Sequence, residues 1–169
     1  MASKSLQASE TSTVWTSSGG DKLLDMGGQT LTSARCGAYL DLGAAPRANW
    51  YEVVVVIGAY AAAPILGEHV EVRFTQSDDS TNFDGQPTTA PTATVEGTVT
   101  IAQSLNMVYC CSPAATVASA TQVVQGRGLV KLTGRYVAPV VINWATIASF
   151  GNTGTDHSIT LTPVPYEGQ

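Results

Sequence analysis

Charge is scarce in this chain. Asp, Glu, Lys and Arg make up 12% of its 169 residues, about half the roughly 25% usual in soluble domains. Most of the outside must therefore be neutral, either covered with Thr, Ser, Gly, Ala and Gln or buried against other chains. The eight basic residues are Lys4, Lys22, Arg35, Arg47, Arg73, Arg127, Lys131 and Arg135, spread from end to end in a chain of net charge −5. A nucleic-acid reader needs a concentrated basic footprint to displace counterions, and that class is excluded. Long apolar runs are missing too. The most apolar stretch, Val53 to Leu66, lies between Glu52 and Glu68 and is interrupted by Pro64, too short to span a bilayer. The start, MASKSLQASETSTVW, has no apolar run of signal-peptide length, so no secretory leader is expected.

Cysteine and histidine are equally sparse. Cys36 stands alone and Cys110 and Cys111 are adjacent, an odd count without the two-residue gaps of zinc sites. Small buried apolar side chains are the expectation for all three, and reduced thiols fit synthesis in a cytoplasm. His69 and His157 are the only candidate bases. Neither is paired with a nucleophile or a second metal ligand at a useful spacing, and GxSxG, phosphate-loop and dinucleotide glycine motifs are absent. Both histidines are expected to be solvated, on a strand face and in a loop. No enzymatic activity, cofactor, metal or small-molecule substrate is expected.

What the chain does have is strand chemistry. Hydrophobic residues are 44%, and at this length roughly 70% of the unfolded surface can be buried in one domain. NWYEVVVVIGAY carries consecutive β-branched residues, the pattern of a strand buried on both faces. In EHVEVRFTQ, Val70, Val72 and Phe74 alternate with Glu71, Arg73 and Thr75, the period of a half-buried antiparallel strand. SDDSTNFDGQP and the Pro- and Thr-rich TTAPTATVEG predict a long exposed loop, after which TVTIA resumes strand alternation. Pro139, inside RYVAPVVIN, predicts an edge or a bulge, and HSITLTP a last strand. Helical periodicity is confined to one turn around Ala114 to Ala120. Short strands with turn chemistry between them predict an all-β antiparallel sandwich of jelly-roll or Greek-key type over residues 31–169. Residues 1–30, rich in Ser, Thr and Gly, read as an extended N-terminal arm. An arm has no core of its own to fill, so Val14, Trp15, Leu23 and Leu24 are candidate anchors that dock on another subunit or on the protein's own body.

Two other constellations have possible chemistry. Asp78, Asp79, Ser80, Asn82, Asp84 and Gly85 imitate the start of a calcium loop, but Pro91 occupies the twelfth position where a bidentate Glu is required. Asx turns account for the same residues without an ion. Trp15, Trp50, Tyr51 and Trp144 could form a sugar-stacking platform, though Trp50, Tyr51 and Trp144 stand at strand ends, where core or sheet-end packing is the simpler reading.

The run LTSARCGAYLDLGAAPRANWYEVVVVIGAYAAAPILGEHVEVRFTQSDDSTNFDG, with DLG at Asp41 to Gly43, EVRFTQSDDSTNF, and the later GRGLVKLTGRYVAPVVINWAT, resembles the capsid cement, or decoration, proteins of tailed bacteriophages. The resemblance extends from about Leu31 to Thr146 and leaves out the Trp15 arm and the loop from Gln86 to Gly97. It implies a jelly-roll virion structural protein, made in the host bacterial cytoplasm and placed on the outer capsid surface. Such a protein binds the assembled major capsid protein lattice and stabilises the head by bridging neighbouring capsomers, as a homodimer or homotrimer. A phage receptor-binding or carbohydrate-binding β-sandwich module is the alternative. Twenty extended residues reach at most about 70 Å, so an arm could clamp a neighbour, and removing residues 1–30 is expected to leave the sandwich folded.

Overall fold

A computed structural model describes residues 11–44, 47–146 and 148–164. Ten strands occur among them: β1 (Thr13–Thr16), β2 (Lys22–Leu23), β3 (Ser33–Cys36), β4 (Leu40–Asp41), β5 (Trp50–Ile57), β6 (Val70–Ser77), β7 (Val108–Cys111), β8 (Val124–Lys131), β9 (Tyr136–Asn143) and β10 (His157–Pro163). One sheet runs β2-β1-β10-β5-β8; the other runs β3-β9-β6-β7, with β4 also pairing with β9. Apart from the two-residue β2 and β4, the eight remaining strands pair first with last, second with seventh, third with sixth and fourth with fifth. These are β1 with β10, β3 with β9, β5 with β8 and β6 with β7, all antiparallel. That nested wrapping is a jelly roll, the all-β sandwich expected from the sequence. No helix among the described residues is long and apolar enough to cross a membrane.

The extended arm expected over residues 1–30 is, from residue 11 onward, part of this sandwich. Thr13, Val14 and Trp15 lie opposite Leu161, Thr160 and Ile159. Thr-Val-Trp-Thr has the alternation and β-branching of a strand, and its inward Trp15 is fully buried, with Nε1 donating to the Ala38 carbonyl at 2.7 Å. Leu24 and Met26 are buried in the same core. A boundary at residue 30 thus cuts through the domain; residues 1–10 lie outside the described residues.

Other expectations shift for physical reasons. β5 is buried on one face only: Val53, Val55 and Ile57 point into the core, while Val54 and Val56 are half-exposed. The strand buried on both faces is β9, where Val137 and Val141 join the central core and Ala138, Val140 and Ile142 join a second cluster on the opposite side. Residues 78–107 are indeed a long connection, but they fold back over that outer side. Val99 and Met107 are buried against Cys36, Ala138, Val140 and Ile142, and Phe83 stacks on Tyr39 at 5.9 Å. TVTIA therefore leads into a short helix, α1 (Ile101–Ser104), rather than a strand. Thr100 accepts from the Gln103 backbone, and Gln103 returns the bond to Thr100 N–H at 2.8 Å, the reciprocal capping that starts a helix. Residues 114–120, by contrast, form no helix. Pro139 sits in a central strand. Gly37 N–H donates to its carbonyl at 2.9 Å, so its missing N–H points to the gap where the chain passes from β3 to β4 and no ladder bond is lost.

On β8 the inward positions read Val124, Gly126, Gly128, Val130. The two glycines let the edge of the opposite sheet close against this one. A Cβ on Gly126 would meet Pro113 at 2.7 Å; on Gly128 it would meet Cys110 Sγ at 2.7 Å and the Cys110 carbonyl at 2.9 Å.

Trp15→Ala is expected to cost about 3–5 kcal/mol, the usual range for emptying a buried Trp site, read from urea unfolding. Removal of residues 1–24 should abolish the cooperative transition altogether, because it takes β1 and β2 from their sheet. Gly128→Val should cost about 1–3 kcal/mol through overpacking against Cys110, whereas Gly43→Ala, with open space around its Cβ position but a φ of 79°, should cost about 1 kcal/mol from backbone strain alone.

Candidate interaction surface

The two sheets differ in what covers their outer faces. That of β3-β9-β6 lies beneath residues 78–107, whereas the outer face of β1-β10-β5-β8 carries no such cover among the described residues. Register places its side chains in rows. Val14, Thr160, Val54 and Arg127 form one; Thr162, Glu52 and Leu129 the next; Ser158, Val56 and Gln125 a third. At one end Trp50 lies opposite Lys131 and its carbonyl accepts from Val164 N–H at 2.9 Å. Trp50, Leu129 and Val164 are 45%, 58% and 38% exposed, and together with Glu52 and Arg127 the last two line a shallow depression of about 390 Å³. The charges here are few, with Arg127 paired to Glu52 at 2.9 Å, both largely exposed. Such a pair is worth little in water. The surface can bury apolar and hydroxyl side chains against a flat partner.

The four candidate anchors divide. Val14 faces outward in the first row and is half-buried; Leu23 is half-buried on edge strand β2, beside Lys22, whose Nζ donates to the Ala93 carbonyl at 3.1 Å. Trp15 and Leu24 are fully buried in the protein's own core, the second of the two docking modes foreseen for them. Both belong to the inward register, where a side chain in an outer sheet strand meets the opposite sheet. Of the two places expected for Trp50, core or sheet end, it takes the sheet end and is the exposed Trp of the described residues, because β5 begins with it in the outward register. Tyr51 is buried, and its hydroxyl donates to the Ala48 carbonyl at 2.9 Å. Trp144 is half-buried, with Nε1 donating to Glu71 at 3.0 Å. These rings do not share a platform.

Sequence reasoning missed Val54, Val56, Leu129 and Val164. Four consecutive valines signal apolar side chains on both faces of a strand, and in an antiparallel sheet the outer set can be left for a partner. Leu129 is the apolar member of an outward series of Gln125, Arg127 and Lys131, a legible exception.

The catalytic and metal candidates do not assemble. His157, expected in a solvated loop, is fully buried at the start of β10. Its Nδ1 accepts from Gly58 N–H at 3.2 Å, which leaves Nε2 as the donor to the Gly151 carbonyl at 3.1 Å. Both nitrogens are thus occupied in holding two loops. His69 is half-buried with its ring 6.4 Å from that of Trp144. In the calcium-like segment, Asp79 Oδ1 accepts from the amides of Asn82 at 2.8 Å and Thr81 at 2.9 Å, and Oδ2 from the Asn82 side chain at 2.6 Å. Those bonds hold its carboxyl well below the usual carboxylate range; this is the Asx turn. The cysteines are free thiols, Cys36 and Cys111 buried and Cys110 partly so.

No family model matches this chain, and no curated protein matches it.

Proposed function

We propose that the protein is a virion structural protein that binds the outer surface of the assembled major capsid protein lattice and bridges neighbouring capsomers, docking through the outer face of β1-β10-β5-β8. The observation that carries this reading is the unequal cover of the two sheets: one outer face is sealed by the chain itself, the other presents Trp50, Val54, Val56, Leu129 and Val164. The jelly-roll fold agrees with it without deciding it, since the same architecture serves capsids, lectins and cupins. The sequence resemblance to phage cement proteins selects among these.

Magnitudes favour multivalent docking over a single tight contact. Strands of four, seven, eight and eight residues, about 4.8 Å apart, give a face of roughly 400 Å², below the about 800 Å² per partner of a standard stable interface. One such face binds weakly. A homodimer or homotrimer on a repeating lattice engages several at once and gains avidity without any single strong site. A near-neutral face also avoids the desolvation cost of burying unpaired charge against the shell.

Purified protein should co-sediment with expanded capsids lacking it, saturating at a fixed ratio to the capsid subunits and raising their resistance to heat; light scattering should show a dimer or trimer. Leu129→Glu, an exposed position, should leave the urea unfolding midpoint unchanged and weaken capsid binding at least tenfold, the effect of losing about 1.4 kcal/mol at an interface. Because the contact is apolar, raising the ionic strength from about 0.05 to 0.5 M should alter affinity by less than about threefold. Absence of binding, with glycan-array affinity in a monomer, overturns the proposal in favour of a carbohydrate-binding module.

A further inference from the structure

At the seam between the sheets, β7 opposes Val72 and Arg73 with three residues rather than two: Cys111 pairs with Val72, Tyr109 with Arg73, and Cys110 is the extra residue of a bulge. In a regular strand consecutive side chains point to opposite faces, and two adjacent cysteines would be held apart. A bulge breaks that alternation and re-aims a side chain. Here both cysteines approach β8 from one side: the space where a Gly128 Cβ would stand is reached by Cys110 Sγ at 2.7 Å and by Cys111 Cβ at 3.1 Å. Cys111 belongs to the central core and Cys110 packs against it, partly exposed. The neighbouring Cys111 thiol and burial push the Cys110 thiol up.

We infer that Cys110 and Cys111 form a two-thiol chelating site for a thiophilic electrophile of the trivalent-arsenical class. The chemistry balances without an external oxidant or reductant. An arsine oxide, R–As=O, takes up the two thiols to give R–As(S)₂: two As–S bonds form, the As=O bond breaks, and oxygen leaves as water with both thiol protons. Arsenic stays trivalent and neither sulfur is oxidised. The bulge brings the two side chains to one side before binding, so less ordering is needed on chelation than in a flexible chain. Cys36 is the internal control. It is solitary, fully buried beneath the cover of residues 78–107, and its thiol is pushed up to about 12 by burial. This inference does not depend on the proposed capsid role.

Phenylarsine oxide is the probe, with the folded full-length protein as the receptor. Intact mass spectrometry should show one adduct per chain, stable to excess monothiol and removed by a dithiol such as 2,3-dimercaptopropanol, the signature of two-point attachment. Cys36→Ser should retain the adduct; Cys110→Ser and Cys111→Ser should each lose it. The melting temperature should rise with phenylarsine oxide, because a ligand that prefers the native state stabilises it. No adduct on the folded protein, an adduct that survives in Cys110→Ser, or a melting temperature that fails to rise would each overturn the assignment, the last by placing any binding equally or preferentially in the unfolded chain.

Discussion

The pairing of the first described strand with the last is the contact on which the rest of the sandwich depends. In a jelly roll every strand pair is nested inside another, and β1 with β10 is the outermost. Its short ladder of Thr13 to Trp15 on Leu161 to Ile159 would be marginal as hydrogen bonding alone, at about 1 kcal/mol net per bond. Trp15 changes that balance. Its side chain fills the space between the sheets and its indole N–H reaches the Ala38 carbonyl, just past β3. One residue thereby ties the beginning of the chain to the end of one sheet and to the edge of the other.

With that closure made, the two outer faces have different fates. The chain places about thirty residues over β3-β9-β6 and builds a second apolar cluster there, so β9 can be apolar at nearly every position. Over β1-β10-β5-β8 it places none among the described residues, and the outward positions are filled with Val, Thr and Ser together with a few charges. A chain with so little charge has limited means of making a fully solvated sheet face. Threonine is the compromise, β-branched enough for a strand and polar enough for water.

Much of the architecture was legible because β-sheet periodicity is local: EHVEVRFTQ and HSITLTP declare their inward faces by alternation, and both are strands in the expected register. The candidate surface was legible only in part. Trp50 and Tyr51 are neighbours of similar chemistry, and a one-residue choice of register decides which is buried. His157 was misjudged because its role comes from Gly58 and Gly151, remote in sequence, which converge on it only in the fold. Trp15 looked like part of a polar arm because its flanking Ser and Gly residues are those of the turns around a two-residue strand. The helix at Ile101 was obscured by VTI, whose branched side chains suit a strand, while the Thr100 and Gln103 pair that caps the helix was present in the sequence all along.

Buried polar groups complete the account of why loops this long stay in place. Gln29 is fully buried, and its Nε2 donates to the carbonyls of Ser33 and Val141, each at 3.0 Å. Asn143, also fully buried, donates to Gln29 and Ala148 carbonyls and accepts from Ala145 N–H at 3.0 Å. Glu68 accepts from the Ile65 amide at 2.9 Å and from the Thr146 amide and hydroxyl at 2.5 Å. Each of these side chains serves backbone groups that no sheet ladder reaches, and leaving such groups unpaired costs more than the bonds themselves contribute. They stand at the end of the sandwich where β5, β9 and the start of β10 meet their connections, alongside His157. Apolar contact between the sheets thus sets the position of the strands, and a small set of buried amides, one carboxylate and one imidazole sets the course of the chain between them.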